Sequence, residues 1–378
     1  MREEIEEWKD LNDWELLCRF MPEGWKEKAK ETGALKRARG IPNAEVLLRV
    51  LLIHLANGYS LMETAVRAHE AGLARVSDVA VMKRLRASEE WLRWLAERIR
   101  AGITRPEFRL KRRVVIVDAT TVSEPGSTGT DWRIHYAMNL SDLQCRYFEL
   151  TDHRGGETWK RFPIHPEDVV MGDRIYATPV SVAHVVKNGG DVLVRLNRQS
   201  LPLYTPTGQR LRVLPRVRGV TVRKPKEWPA RVKGPEGREI EGRFIAVRRS
   251  RKATQRERAR LQKRASRNQK SVSPQSLQAA AYLLLWTTLG PEYPISLILE
   301  MYRLRWQIEL AFKRFKSILG LGHLPKKDPQ GSRAWLHGKM FVALWIERIM
   351  DAAESFSPWG YALEFSAESL ERNGFWVS

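Results

Sequence analysis

Four residues in one stretch could act together on a phosphate: Tyr302, Arg305, Glu309 and Lys316 of LEMYRLRWQIELAFKRFKSIL, residues 299–319. On a helix, at about 100° per residue, they fall within roughly 60° of one another. Met301, Leu304, Ile308, Ala311, Phe312 and Phe315 make an adjoining apolar stripe that can anchor the element on a core. The same pattern fits an amphipathic helix on which Glu309 simply pairs with Arg305 or Lys313. Two further acids accompany apolar strands, Asp118 at the end of the run in KRRVVIVDATTV and Asp173 just beyond EDVVMG. Three carboxylates folded together would repel one another unless cations bound. Mg²⁺ suits such a set, with Mn²⁺ as the alternative, because it takes a few carboxylates and keeps water and phosphate oxygens as its other ligands. Two such ions could activate an attacking water or hydroxyl and stabilise the leaving oxygen of an in-line phosphoryl transfer. Spacing alone does not choose these acids over Glu124, Asp131, Asp152 or Asp168.

The elements that must position them can be read in order. Asn43 can cap a helix over AEVLLRVLLIHLAN, Ser60 with Glu63 forms an S-x-x-E capping box, and Ser77 opens a helical pattern running to Gly102. Short helices joined by glycine turns fit a helix-turn-helix with Lys83, Arg84 and Arg86 available to phosphates, and fit a plain helical bundle as well. From Arg112 the period changes. KRRVVIVDATTV reads as a buried strand, WRIHYAMNL and QCRYFELTD as antiparallel neighbours, then a strand, a helix over 181–187 and the strand GGDVLVRLN. This is a mixed α/β sheet.

Arg195–Lys270 differs in kind, holding 24 Lys/Arg against 5 Asp/Glu and so nearly all of the net charge of +21. LRVLPRVRGVTV and REIEGRFIAVRRS read as a small antiparallel sheet, followed by a cationic helix or arm and a buried strand at AAAYLLLWTTL. So much charge in one block, Arg248 and Arg249 included, favours a phosphate-binding surface and a double-stranded DNA partner. No apolar run reaches membrane-spanning length, the acidic N-terminus is no signal peptide, and Cys18 and Cys145 form no metal pattern. These features predict a cytoplasmic, nucleoid-associated protein. The glycines of EPGSTGT lack a following G-K-[ST], which excludes a P-loop NTPase.

On these residues the chain resembles the IS4 family of DDE transposases. VVIVDATTVSEPGSTGTDWRIHY with Asp118 resembles the first acidic motif, GDRIYAT with Asp173 the second, and Tyr302, Arg305, Glu309 and Lys316 the Y-x2-R-x3-E-x6-K signature. The resemblance implies an RNase H-like mixed-sheet core over 109–350, interrupted at 198–290 by the basic β-rich insertion. An N-terminal all-helical DNA-binding domain (1–108) and a C-terminal tail (351–378) flank it. It implies Asp118, Asp173 and Glu309 as catalytic metal ligands, and binding of inverted-repeat ends by a homodimer that nicks one strand and joins the 3′-OH to target DNA. Better-known members pass through a hairpin with a flipped base on a tryptophan, whose position Trp286 resembles. The alternatives are an RNase H-like nuclease without strand joining and an inactive DNA-binding relic.

Overall fold

The structure is a computed structural model, and it describes residues 12–102 and 112–355. The tail from residue 356 onward and the 108/109 boundary lie outside the described residues. The chain forms two compact units, 1–104 with 317–378, and 105–316. The division differs from the sequence-based scheme, because the helix Pro329–Ser355 clusters with the N-terminal helices.

The first unit is helical: α1 (Asp13–Cys18), α2 (Trp25–Glu31), α3 (Ala44–Leu55), α4 (Leu61–Glu70), α5 (Asp78–Ala87), α6 (Glu89–Ala101) and the long C-terminal helix. Asn43 Oδ1 accepts from the Val46 amide at 2.9 Å and Ser60 Oγ from the Glu63 amide at 3.1 Å, so both caps form. Glu63 does not complete the box. Its carboxylate takes Arg67 one turn on, at 3.1 Å. The single helix expected from Ser77 to Gly102 breaks at Ser88, whose hydroxyl donates to the Arg84 carbonyl at 2.8 Å. Leu47, Leu48, Leu51, Leu92, Leu95, Leu336, Phe341 and Leu344 are fully buried and form this unit's interior. Gly338 makes the helix crossing close, since a Cβ there would stand 2.6 Å from the Leu55 side chain.

The second unit is built on an eight-stranded mixed sheet. Its strands are β1 (Val114–Val122), β2 (Trp132–Asn139), β3 (Cys145–Asp152), β4 (Val169–Gly172), β5 (Asp191–Arg195), β7 (Lys226–Pro229), β10 (Arg243–Arg248) and β11 (Tyr282–Thr287). The order is β3-β2-β1-β4-β5-β11-β10-β7, with β1, β2 and β3 antiparallel and β4 and β5 parallel to β1. The smaller strands β6 (Leu203–Tyr204), β8 (Arg231–Lys233) and β9 (Glu239–Ile240) pair separately. Val115, Val117, Val170, Val192 and Val194 line one face of the sheet with Val182 and Val185 of α7 (Pro179–Lys187). Ile116, Met171, Leu193, Ile245 and Leu285 of the opposite face are also fully buried, which is why these strands read as unbroken apolar runs.

Three more sequence expectations change. LRVLPRVRGVTV contains no strand: Val213–Arg216 is one helical turn, as Pro215 can donate to no ladder. The signature stretch is not one helix either. It divides into α9 (Ile295–Arg303), a 3₁₀ turn (Leu304–Trp306) and α10 (Gln307–Ser317). The tighter 3₁₀ winding shifts the angular phase between Tyr302 and Glu309, and Tyr302 is buried rather than on a shared polar face.

Trp286 is the third correction. It is fully buried in the sheet core and its Nε1 donates to the Ala230 carbonyl at 3.1 Å, which leaves no ring face for a base to stack on. Trp286→Ala is expected to destabilise the protein by about 3–5 kcal/mol, measured as a lowered urea midpoint.

Candidate active site

Asp118 lies in the middle of β1, not at its end. The parallel ladder to β4 stops at Val117 opposite Gly172, while the antiparallel ladder to β2 continues past it. Asp118 and Asp173 are therefore the next residues on two adjacent parallel strands, at the carboxyl edge where open α/β sheets place their ligands. Gly172 is required there. A Cβ would come within 3.0 Å of the Trp159 ring and 3.1 Å of Tyr176, which stack at 5.7 Å between centroids beneath this edge.

Glu309 arrives from α10. Phe312 and Phe315 pack edge-on against Tyr136, at 5.9 and 5.5 Å, and Tyr136 is the cross-strand partner of Asp118. Burying those two rings seats the helix over Asp118, with Glu309 one turn upstream of Phe312. Arg305 joins the two acids: its Nη1 lies 3.4 Å from Asp118 Oδ2 and its Nη2 donates to Glu309 Oε1. Asp173 is met by Arg195 Nη1, at the end of β5, at 3.7 Å.

Burial raises the Asp118 carboxyl to about 6. The Ala119 amide, donating at 2.8 Å, and Arg305 oppose that rise, whereas Glu157 and Asp173 add to it. Glu157 is itself raised, by burial, and Asp173 pushes it further while Arg133, 3.4 Å away, pulls it back. The edge thus concentrates Asp118, Asp173 and Glu157, with Glu309 beside Asp118 through Arg305. Glu157 is the acid that the sequence reading missed. It sits in the loop after β3, two residues before Trp159, with no apolar strand to mark it.

Arg174, Arg195 and Arg198, gathered here with Arg249, were also missed. Arg195 Nη2 donates to Glu257 Oε1 at 2.7 Å, and Glu257 is the sole acid of the cationic helix α8 (Arg251–Arg267). Arg174, Arg195, Arg198 and Glu257 line a cavity of about 150 Å³. Burial lowers the Arg174 and Arg249 guanidinium pKa values, and the charge of Arg195 lowers both further. A strand-end rule would have found Arg195, the last residue of β5, as it found Asp173, the residue after β4.

The remaining residues chosen from sequence lie as follows. Arg248 is exposed, and Arg249 Nε donates to the Tyr282 carbonyl at 3.3 Å. Lys316 is exposed at the end of α10. In the helical unit Lys83 is exposed, whereas Arg84 Nη2 donates to the Arg37 carbonyl at 2.6 Å and so braces that loop.

The carboxylate oxygens of Asp118, Asp173, Glu157 and Glu309 are of the donor type that fits a hard divalent cation. Among the described residues no three acid, histidine or cysteine side chains already stand as a ligand set, and Arg305 holds Asp118 and Glu309 instead.

The chain matches the family described as transposase DDE domain over residues 109–346. It belongs to that family. It is 33% identical over 359 residues to a protein assigned as the InsL transposase of insertion sequence element IS186A in Escherichia coli K12, covering 92% of this chain and 96% of that one. It is likewise 33% identical over 360 residues to the transposase for insertion sequence element IS421 of Escherichia coli, with the same coverage. This DDE transposase is an enzyme of DNA cleavage and strand transfer, and its mixed sheet with flanking helices fits an RNase H-like core. Among the described residues no helix is long and apolar enough to cross a membrane.

Proposed function

We propose that this transposase binds the inverted-repeat ends of its element, cuts them and joins them to target DNA at the sheet edge around Asp118, Asp173 and Glu309. The observation that carries the reading is the Arg305 guanidinium shared by Asp118 and Glu309, beside Asp173 on the neighbouring strand. Asp118, Asp173 and Glu309 hold divalent metal, Mg²⁺ or Mn²⁺ and two ions by analogy with in-line phosphoryl transfer. When bound, the metal lowers the pKa of an attacking water or 3′-hydroxyl and stabilises charge on the leaving oxygen.

The chain's own groups do the rest. Burial keeps Asp118 in a water-poor setting where its charge acts strongly. Arg305 carries a planar fork of donors of the kind that meets phosphate oxygens in pairs. Arg174, Arg195 and Arg249 orient the phosphates next to the scissile one, and α8 carries the strand away along its cationic surface. Lys316 and Arg248 contact phosphates farther out. Lys83 and the rest of the helical unit, 1–108 in the sequence-based scheme, grip the end of the element. Pairing of ends by a dimer and a hairpin intermediate follow from the family resemblance, and action on the chromosome in the cytoplasm from the cationic block as well.

The test is cleavage of labelled duplexes carrying the inverted repeats that flank the gene. Metal-dependent nicking and joining of a 3′-OH end support the reading. Binding without metal-dependent nicking would favour the regulator, and nicking without joining the simple nuclease. Glu157→Gln is expected to slow nicking by roughly 10–100-fold, as for groups that support metal ligands. A higher Mg²⁺ concentration for half-maximal activity is the measurement that checks it.

A further inference from the structure

The helical unit contains a cavity of about 600 Å³, unrelated to the acid site, lined among others by His54, Met82, Leu85, Ile318, Trp335 and Lys339. Lys339 belongs to the long C-terminal helix and is only 2% exposed. Its ammonium lies 5.0 Å from the Trp335 ring centroid, and among the described residues no carboxylate or other hydrogen-bond acceptor meets it. Burial alone pushes its pKa down to about 8, with no acid to restore it. The one carboxylate lining the cavity is committed elsewhere, since Arg86 Nε donates to Asp328 Oδ2 at 2.7 Å. His54 Nδ1 donates to the Tyr59 carbonyl at 2.6 Å, and both burial and the Lys339 charge disfavour the imidazolium. Ser332 Oγ, also in the lining, is buried without a partner.

An ammonium without a counter-ion costs free energy in such a setting, and a protein normally pairs it. The Ser332 hydroxyl can donate to an anion, whereas neutral His54, with its proton on Nδ1, offers only an acceptor, and nothing in the lining neutralises Lys339. The volume lies within the roughly 300–1,000 Å³ of small-molecule sites, far more than a lone anion needs. Met82, Leu85, Ile318 and Trp335 offer apolar and aromatic surface to the remainder of a ligand.

We propose that this cavity binds a nucleotide, with its phosphate on Lys339 and its base against Met82, Leu85 and Trp335. The nucleotide can come from solution or from an unpaired residue of DNA, and the two share this chemistry.

The full chain is titrated with dAMP, adenosine, inorganic phosphate and a short 5′-phosphorylated single strand. Two readouts are followed, the melting temperature and the rate at which acetic anhydride acylates Lys339, resolved by peptide mass spectrometry. The expected result is a saturable rise in melting temperature with dAMP and at least fivefold slower acylation of Lys339, neither being produced by adenosine. Lys339→Met is expected to weaken dAMP binding at least tenfold. It should melt no lower than the wild type without ligand, because an unpaired buried charge has been removed. A single strand that protects Lys339 at lower concentration than dAMP assigns the nucleotide to DNA, and the reverse order assigns it to solution. The proposal is overturned if dAMP leaves Lys339 acylation unchanged, if adenosine or inorganic phosphate does as well as dAMP, or if Lys339→Met binds dAMP like the wild type. Should that variant fail to fold, protection of the wild-type lysine decides.

Discussion

Asp118→Asn is expected to abolish strand cleavage, by about 10²–10³-fold or more, and yet to raise the melting temperature of the metal-free protein at neutral pH. Under the proposed function the loss follows from removing a charged metal ligand at the centre of the candidate site. The gain follows from burial, which puts the folded Asp118 carboxyl at about 6 against an ordinary 3.8. A folded pKa above the unfolded one means that the ionised group destabilises the fold. That cost is fully present above about pH 6 and fades as pH falls toward 3.8. At about 1.4 kcal/mol per pKa unit it is on the order of 3 kcal/mol, less for the solvent that reaches the side chain. Asparagine avoids the charge but loses the attraction to Arg305, so a net gain of about 1–2 kcal/mol is expected. Calorimetry in EDTA from pH 8 to pH 4 checks it: the variant should melt higher at pH 8, with the gap closing by pH 4. Mg²⁺ should raise the wild-type melting temperature and leave the variant's nearly unchanged.

Acid is expected to unfold the protein early because of buried histidines. His135 is fully buried, its Nε2 2.9 Å from Thr151 Oγ1, and burial, then Arg161 and Arg133, push its pKa down to about 4. Burial, then Arg93 and Arg333, push His337 down to about 3. Folded values below the unfolded one of about 6.5 make the folded state favour neutral imidazole. The associated stability is fully present above pH 6.5 and is lost as pH falls toward the folded values. Each histidine removes about 1.4 kcal/mol per pH unit in that window, so each takes about 2 kcal/mol from its own unit between pH 6.5 and 5. That is an appreciable part of the stability of an ordinary domain. Asp118 works the other way over the lower part of the range and only partly offsets it. Urea midpoints should fall steeply from pH 7 to pH 5, and His337→Gln or His135→Gln should flatten the fall. A pH-independent midpoint would show that these imidazoles titrate normally.

The sequence revealed much of this site because the sheet is buried on both faces. Apolar runs long enough to be read as strands ended or broke at Asp118 and Asp173, and the parallel pairing of β1 with β4 made those two positions neighbours. Glu309 was legible through its signature and through Phe312 and Phe315, whose apolar spacing orients α10. Glu157 was not, since a polar loop residue acquires its meaning only from the Trp159–Tyr176 stack that places it. The 3₁₀ turn at Leu304–Trp306 and the break at Ser88 depend on which carbonyl each donor selects, and polarity patterns do not encode that choice. Trp286 gave the same apolar pattern whether it was to be a stacking platform or core. The Pro329–Ser355 helix likewise shows its apolar residues without naming the partner that covers them.

The most direct measurement is anomalous scattering from crystals of the transposase bound to its inverted-repeat end and soaked in Mn²⁺. The account predicts Mn²⁺ peaks on the carboxylates of Asp118 and Asp173, with Glu309 released from Arg305 to join them. An end-bound complex in which millimolar Mn²⁺ leaves all three carboxylates without a peak, and Arg305 still between Asp118 and Glu309, would contradict it.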